Sequence, residues 1–264
     1  MIDTHCHLDF YPEEELSRII ENAFNSNITA LITVGCDIER SNRCIEIAKK
    51  YKSIYATCGI HPNEWESVTD ENLETLEKLI EENKDTIVGI GESGLDYYQI
   101  ERIPGWKEQE AYIKKQQKKS LEFQGCLSKK YNKPLIIHNR SSSLDILQFL
   151  KTEQYSKIVL HCFSENEDFL EQVLDNEMVY FSFAGNVTYN SMKHLENCIK
   201  KIPLHRLMIE TDSPFLTPRE VEAKQNEPQH ITQVVSKISN ILSIDKEALI
   251  TSTTQVAIKF WNLN

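Results

Sequence analysis

Short apolar runs alternate with longer segments of helical periodicity along most of the chain. The apolar runs predict eight β-strands, at Met1–Thr4, Ile28–Val34, Ser53–Ile60, Ile87–Ile90, Pro134–Ile137, Lys157–Leu160, Met178–Phe183 and Leu207–Ile209. Between and after them, the spacing of apolar residues predicts helices at Leu16–Phe24, Glu39–Tyr51, Glu71–Glu82, Ser142–Glu153, Glu167–Asp175 and Ser191–Ile202, with a helical tail from His230 to Phe260. Eight such alternations with nearly continuous apolar strands favour an α/β fold with parallel strands, either an open doubly wound sheet or a closed (β/α)8 barrel.

Residues with metal-binding side chains follow six of these apolar runs, and they decide between the two architectures. They are His5 and His7 after the first, His61 after the third, Glu92 after the fourth, His138 after the fifth, His161 after the sixth and Asp212 after the eighth. The first and last strands of an open sheet lie far apart, whereas closure of the sheet brings them side by side. A shared site therefore predicts a (β/α)8 TIM barrel, with the metal site at the C-terminal ends of the strands.

The chain opens with an H-x-H pair at the predicted end of the first strand. Residues two apart in a strand point to the same side, so His5 and His7 can direct two imidazoles at one ion. Cys6 lies between them and is expected to point the other way, into the packing between strand and helices.

The donor set exceeds the needs of one tetrahedral ion, which predicts two divalent cations. Mixed imidazole and carboxylate ligands suit Mg²⁺, Mn²⁺ or Zn²⁺. Because the fourth strand lies across the barrel from the first and eighth, Glu92 is predicted to bridge the ions. One ion would then be held by His5, His7 and Asp212, and the other by His138 and His161. Asp212 is the candidate general base for a nucleophilic water.

Length and charge restrict the class of protein further. The 264 residues match one barrel and predict a single domain, 1–264. A net charge of −11, from 40 acidic and 29 basic residues, argues against a protein that coats nucleic acid. It leaves room for an enzyme that reaches a phosphodiester through bound cations. The absence of a long apolar run and of a charged leader predicts a soluble cytoplasmic protein. The seven cysteines are odd in number and contain no CxxC pair, which indicates reduced thiols.

Two further features carry open interpretations. Arg140, two residues after His138, either binds a phosphate oxygen with its planar guanidinium or forms a salt bridge at the barrel mouth. The Lys- and Gln-rich segment Glu101–Lys119 is expected to be an extended loop with one or two added helical turns, ahead of the helix that leads into strand five.

Several motifs, in order along the chain, resemble the TatD family of metal-dependent deoxyribonucleases, within the amidohydrolase-like barrel superfamily. They span Met1 to about Pro228 and are Met1–Asp9 (MIDTHCHLD), Gly59–Pro62 (GIHP), Gly89–Tyr98 (GIGESGLDYY), Pro134–Arg140 (PLIIHNR), Leu160–Ser164 (LHCFS), Glu210–Pro214 (ETDSP) and Asn226–Pro228 (NEP).

The resemblance implies a barrel that hydrolyses DNA phosphodiester bonds, typically from the 3′ end, with divalent metals held by His5, His7, Glu92, His138, His161 and Asp212. It further implies that His61 lies close to the scissile phosphate and Arg140 near the substrate. A single-stranded DNA end is the expected partner, because two bound cations reverse the local field. The aromatic residues Trp65, Tyr97, Tyr98 and Trp106 are candidates for base stacking or for packing under loops.

A different reaction class remains open at this point, an amidohydrolase or deaminase acting on a small C–N substrate, since the same barrel serves both. Many two-metal amidohydrolases bridge their ions with a modified lysine at the end of strand four. This chain has Glu92 there, which favours the nuclease.

Overall fold

Eight parallel strands in a barrel form the centre of the structure, a computed structural model that describes residues 1–152 and 155–263. Neighbouring strands pair in chain order from β1 to β8. The strands are β1 (Ile2–Cys6), β2 (Ala30–Val34), β3 (Ile54–Cys58), β4 (Ile87–Asp96), β5 (Leu135–Arg140), β6 (Ile158–Leu160), β7 (Val179–Phe183) and β8 (Leu207–Ile209).

Helices alternate with the strands and cover the barrel. They are α1 (Glu13–Asn25), α2 (Ile38–Lys50), α3 (Asp70–Glu82), α4 (Tyr97–Ile100), α5 (Glu110–Tyr131), α6 (Ser143–Leu150), α7 (Glu167–Leu174), α8 (Leu195–Lys201), α9 (Ile231–Leu242) and α10 (Lys246–Trp261). The predicted (β/α)8 barrel is confirmed. In the described part of the chain, none of these helices combines the length and the hydropathy needed to span a bilayer.

The barrel closes between β1 and β8 through backbone and side-chain hydrogen bonds. The amide of Asp212 donates to the carbonyl of His5 (2.9 Å), and the amide of His7 donates to the carbonyl of Ser213 (2.7 Å). The carboxylate of Asp3 accepts from the Thr211 amide (3.0 Å) and lies 2.6 Å from the Thr211 hydroxyl. The first and last strands therefore lie side by side, as a site shared by β1 and β8 requires.

The barrel interior is apolar at the N-terminal ends of the strands, which we call its lower end. A buried cluster joins residues from non-adjacent strands and from the end of α10, namely Ile2, Ala30, Ile32, Val34, Ile136, Val159, Met208, Val256, Ala257, Phe260 and Trp261. Residues from opposite strands can share a cluster only inside the barrel. A Cβ at Gly89 would lie 2.5 Å from Cζ3 of Trp261, so the indole occupies the space that the glycine leaves. The C-terminal helix thus plugs the N-terminal end of the barrel.

Three strands extend further than the apolar runs predict. The predicted strands stop at Thr4, Ile90 and Ile137, whereas β1 continues to Cys6, β4 to Asp96 and β5 to Arg140. Hydrophobicity ends early in these strands because their last residues face the polar mouth of the barrel. His5, Glu92 and His138 consequently lie within strands, and the prediction that they follow the strand ends is wrong.

The expectation of an extended loop at Glu101–Lys119 is also wrong in its second half. Residues 110–119 form the first half of α5, a helix of 22 residues, after a short 3-10 turn at Lys107–Gln109. The buried face of α5 carries the polar residues Gln117, Ser120 and Gln124 beside apolar ones. They interrupt the apolar periodicity by which a helix is predicted from sequence.

Other helix boundaries differ by a turn or less, with one exception. The predicted tail from His230 to Phe260 is two helices, α9 and α10, separated at Ser243, whose φ of 53° is left-handed. The predicted Ser142–Glu153 helix ends at Leu150, and Glu153 lies outside the described residues. The predicted Ser191–Ile202 helix begins later, at Leu195, after a 3-10 turn at Asn190–Met192.

Candidate metal centre

A bulge in β1 turns the H-x-H pair toward the barrel interior. Asp3 pairs with Leu31 and Cys6 with Thr33, so two residues of β1 stand opposite one residue of β2. Ile2 packs in the interior cluster, whereas Cys6, an even number of positions later, packs in the cluster shared with the helices. Strict alternation would place both on one face. The extra residue inverts the alternation, and Cys6 lies on the helix side as expected.

A second bulge aims Glu92. Ile90 pairs with Leu135 and Ser93 with Ile137, so Gly91 and Glu92 together oppose one residue of β5. Bulges of this kind redirect a side chain at the cost of one unpaired residue. The Glu92 side chain is 3% exposed and points into the ring of histidines.

Four donor atoms meet on the side of β1 and β8. The Nε2 atoms of His5 and His7 are 3.2 Å apart. Oε2 of Glu92 lies 3.3 Å from the first and 3.6 Å from the second. Oδ1 of Asp212 lies 3.5 Å and 3.3 Å from the same two nitrogens. The structure therefore brings these four predicted residues into one cluster.

The remaining predicted donors surround the other oxygen of Glu92. Oε1 lies 2.8 Å from Nε2 of His161, 3.1 Å from Nδ1 of His138 and 3.4 Å from Nε2 of His61. The nitrogens of His138 and His161 are themselves 3.4 Å apart. Each carboxylate oxygen of Glu92 thus faces a different group of histidines.

The chemistry and spacing of these donors fit divalent cations. A tetrahedral ion with ligands at about 2.0–2.1 Å separates them from one another by about 3.3–3.4 Å. Five of the six distances among the four donors of the first set run from 3.2 to 3.6 Å. Imidazole nitrogens and carboxylate oxygens that face one another at this spacing are the ligand types that surround a divalent cation. The second set holds three donors at similar spacing and leaves positions for water or substrate.

Hydrogen-bond partners on the far side fix two of the imidazoles, and a third lies beside a carboxylate. Nδ1 of His7 lies 2.9 Å from the Val34 carbonyl. Nε2 of His138 lies 3.2 Å from Asp96, and Nδ1 of His161 lies 3.4 Å from Glu210. Such partners hold the ring orientation and tautomer that a ligand needs. Asp96 and Glu210 stand in motifs that the sequence analysis singled out, but it gave them no role.

His61 is held as a hydrogen-bond donor. Its Nδ1 accepts a hydrogen bond of 3.0 Å from the Asn63 amide, which can only donate. Burial lowers the pKa of His61, and it outweighs the attraction of Glu92 for the imidazolium. A neutral His61 with its lone pair on Nδ1 carries its proton on Nε2, the atom that faces the centre. This tautomer suits a donor to an anionic oxygen and not a metal ligand.

Two buried glutamines of α5 position the segments that carry His61 and Asp96. The side-chain amide of Gln124 accepts from the Ile60 amide (3.1 Å) and donates to the Ile60 carbonyl (3.0 Å). The Gln117 amide accepts from the Asp96 amide (3.0 Å) and donates to the Pro62 carbonyl (3.1 Å). Neither glutamine is apparent from the sequence, since an isolated Gln in a polar helix carries no signal for burial.

The two carboxylates of the centre are ionised near neutral pH. Burial raises the pKa of Glu92, but the charge of His161 and the hydrogen bonds from His138 and His161 outweigh it and hold that pKa well below its usual range. Burial likewise opposes ionisation of Asp212, while the hydrogen bond from His7 and the charge of His5 bring its pKa below the usual value. Ionised carboxylates are the form that binds a cation.

Solvent reaches the centre from one side. The side chains of His5, His7, Glu92 and His161 are 1–4% exposed, whereas those of Asp212, His61 and His138 are 13%, 14% and 19% exposed. A substrate would therefore meet these last three residues first.

Arg140 projects at this mouth with no ion pair within the two stretches 1–152 and 155–263. Its guanidinium stacks on the Tyr98 ring, 4.0 Å from the centroid, and Arg102 approaches the same ring at 4.8 Å. Among the described residues, the salt bridge weighed as the alternative for Arg140 is not formed. The guanidinium keeps its donors for an anion.

The aromatic residues that were candidates for base stacking are largely committed to packing. Trp65 is 4% exposed and forms a small cluster with Ile100 and Ile113, against which Trp106 and Tyr97 pack. The Tyr97 hydroxyl donates to Asp145. These contacts support the packing interpretation for Trp65 and Tyr97.

Cys6, Cys44, Cys58 and Cys198 are buried thiols outside any disulfide. That the cysteines are reduced stays a prediction.

The barrel and the donor cluster at its mouth are features of a metal-dependent hydrolase. Comparison with known proteins gives the family. The protein-family model described as "TatD related DNase" matches residues 2–262 of the sequence, and the chain belongs to that family.

Relatives and solved structures agree with this assignment. The chain is 33% identical over 267 residues to the uncharacterized metal-dependent hydrolase YabD of Bacillus subtilis, covering 100% of both chains. It superposes with a TM-score of 0.85 on a TatD family hydrolase from Entamoeba histolytica, at 25% identity and covering 100% of this chain and 98% of that one. YJJV, a TatD homolog from Escherichia coli, shares the fold at a TM-score of 0.90 and 24% identity, with 100% and 98% covered.

Proposed function

We propose that this TatD-family hydrolase is a deoxyribonuclease that cleaves DNA phosphodiester bonds, as a 3′ to 5′ exonuclease on single-stranded or frayed ends. The observation that carries the proposal is the position of Glu92, whose two oxygens face two separate donor sets. A carboxylate placed in this way suits a pair of divalent cations, which phosphodiester hydrolysis uses to stabilise both the attacking and the leaving oxygen. The name of the matched family supports a DNA substrate.

Divalent cations held by His5, His7 and Asp212, by His138 and His161, and by Glu92 between them would supply Lewis acidity and lower the pKa of a water. Asp212 would accept the proton of that water. Its second oxygen is free of the contacts that hold Oδ1 near His5 and His7, and its side chain is among the exposed ones. A carboxylate in this position is suited to act as general base.

His61 and Arg140 would bind the phosphate. The Nε2 proton of His61 faces the centre, where it can donate to a non-bridging oxygen. The Arg140 guanidinium, stacked on Tyr98, can donate two hydrogen bonds to a second oxygen. Together they would orient the phosphorus for in-line attack and offset part of its negative charge.

A bridging glutamate also separates this site from the small-substrate alternative. Deaminases and deacetylases occur among the structural neighbours, but at 9–17% identity these show the fold alone. No contact in the described residues favours a C–N substrate over a phosphodiester.

End-labelled single-stranded DNA tests the proposal. Metal-stripped protein is resupplied in turn with Mg²⁺, Mn²⁺ or Zn²⁺, and the products are resolved by length. We expect metal-dependent shortening from the 3′ end. Glu92→Gln should fold and lose this activity, whereas Glu171→Gln, an exposed glutamate on α7, should retain it. If no metal supports cleavage by folded protein, the nuclease proposal is wrong.

A further inference from the structure

Two phenylalanines at the mouth of the barrel remain exposed although they are entirely apolar. Phe10 follows β1 and Phe215 follows β8, and their side chains are 37% and 46% exposed. Neither takes part in the chemistry described above. Because the two rings adjoin each other, they present one continuous apolar surface at the mouth, whose exposure has a cost that a covering ligand would remove.

Both rings are in contact with the metal centre. The ring centroids of Phe10 and Phe215 lie 5.5 Å and 5.7 Å from that of His7, and 5.4 Å from each other, all in edge-to-face geometry. The Phe215 amide donates to the Asp212 carbonyl (2.9 Å). The pair therefore adjoins His7 and Asp212, on the side where the centre opens to solvent.

Arg40 holds the Phe10 ring of this pair in place. The Arg40 guanidinium covers one side of the Phe10 ring, 3.6 Å from its centroid. Arg40 is fixed in turn by Asp9 (2.9 Å) and Asp37 (3.6 Å). These two carboxylates compensate its charge, so the surface that Phe10 and Phe215 present is apolar and not anion-binding.

The position of the pair relative to Arg140 indicates what covers it. In an eight-stranded barrel, β5 lies opposite β1, so Arg140 and the two phenylalanines stand on opposite sides of the mouth. A phosphate bound between Arg140 and the centre would have one of its flanking nucleosides on the side of the mouth that carries Phe10 and Phe215. A nucleobase has a π-face that stacks on aromatic rings with little dependence on sequence.

We infer that Phe10 and Phe215 form a stacking site for a nucleobase that flanks the scissile phosphate. The inference rests on the proposed nuclease function and deepens it. The two rings would fix the end of the strand, and their sequence tolerance would allow the enzyme to advance through any base. Arg140 would contribute phosphate binding on the other side of the same nucleotide step.

Abasic substrates test the inference. Single-stranded oligonucleotides carry an abasic site at the 3′-terminal or at the penultimate position, and kcat/KM is compared with that of the intact oligonucleotide. For the wild-type protein we expect one of the two positions to lower kcat/KM by about 5- to 150-fold, the range for one base stacked on aromatic side chains.

The same oligonucleotides are then cleaved by the variants Phe10→Leu, Phe215→Leu and the double variant. Leucine keeps the apolar contacts with His7 and Arg40 but removes the π-face. The variants should cleave the intact oligonucleotide with a lower kcat/KM than the wild type does. They should cleave the abasic oligonucleotide that the wild type cleaves poorly with the wild-type kcat/KM. The ratio of kcat/KM for intact over abasic substrate, the advantage of the base, should therefore fall to about one. Their affinity for Mn²⁺ should equal that of the wild type. Tyr112→Leu, which replaces an exposed ring that does not contact His7, should preserve the full advantage.

The outcomes separate the two proposals. Equal cleavage of intact and both abasic oligonucleotides by the wild type, or an unchanged advantage in the double variant, overturns the stacking site and leaves the nuclease proposal standing. Failure of the wild-type protein to cleave any of the oligonucleotides overturns the nuclease proposal and the stacking site with it.

Discussion

The two ends of the barrel are built from the same eight strands and have opposite chemistry. At the lower end, strand residues such as Ile32 and Val159 pack against Phe260 and Trp261 of α10. At the upper end, four histidines and two carboxylates converge, with neighbouring donor atoms 2.8–3.6 Å apart. One end buries apolar surface, whereas the other buries groups that carry charge.

The difference separates the residues that stabilise the fold from those that act on substrate. Apolar burial at the lower end stabilises the barrel in proportion to the area removed from water. Buried charges at the upper end are costly to desolvate unless they are paired or bind a cation. The barrel can thus hold a donor cluster that is costly to bury, because its opposite end supplies stability. Variants at one end should therefore change stability, and variants at the other should change catalysis.

After Glu92→Gln, Asp212→Asn should give the largest catalytic effect. The amide cannot accept the proton of the attacking water, so kcat should fall by about 10²–10⁴-fold, the usual contribution of a general base. Steady-state kinetics on the DNA substrate measures it, with circular dichroism as the check on folding. Asp70→Asn, at an exposed aspartate on α3, serves as the control. A variant within threefold of wild type would exclude Asp212 as the base.

Trp261→Ala should give the largest effect on stability. The indole is 2% exposed and plugs the lower end, so its loss should reduce the free energy of unfolding by about 3–5 kcal/mol. Urea denaturation measures this change. Below the unfolding transition, kcat/KM should equal that of the wild type. A Trp261→Ala protein that is stable but inactive would contradict the claim that the lower end affects stability and the upper end catalysis.

Asp96→Asn should act on metal binding at one side of Glu92. Asp96 orients the His138 ring from behind, and loss of such a partner lowers metal affinity or activity by about 10- to 100-fold. Titration of Mn²⁺ into the metal-stripped protein measures the affinity. The Asp145 carboxylate accepts hydrogen bonds from Tyr97 and Lys118 and does not contact His138, so Asp145→Asn should leave the Mn²⁺ affinity unchanged. Equal affinities in Asp96→Asn and wild type would refute the positioning role.

Arg140→Ala should have the smallest effect. The exposed guanidinium would bind phosphate equally in the ground and transition states, so KM for DNA should rise about tenfold with kcat nearly constant. Arg102→Ala is a close control, because Arg102 stacks on the same Tyr98 ring. An unchanged KM in Arg140→Ala would return this residue to a structural role.

The sequence predicts the framework of the molecule well, for a physical reason. Strands such as Ile158–Leu160 and Leu207–Ile209 are buried on both faces and therefore appear as continuous apolar runs. The same logic locates the donors, since polar residues at the end of an apolar run face the mouth of a barrel. The structure brings all seven predicted donor residues to one place, and their roles as ligands stay predictions.

What the sequence does not reveal depends on contacts between distant residues. The bulges that aim His5 and Glu92 are features of strand pairing, to which the identity of single residues gives no guide. The buried Gln117 and Gln124 look like solvent-exposed residues until the loops they bond are in place. The tautomer of His61 likewise depends on the turn that follows it.

The central claim is that Glu92 joins two cation sites, and metal stoichiometry tests it most directly. Metal-stripped wild-type and Glu92→Gln proteins are dialysed against Mn²⁺, the bound metal is counted per chain, and electron paramagnetic resonance reports coupling between ions. The account predicts two Mn²⁺ ions per wild-type chain with a spin-coupled signal, and loss of that signal in the variant. A single uncoupled ion in the wild type, or identical coupled spectra in both proteins, would contradict it.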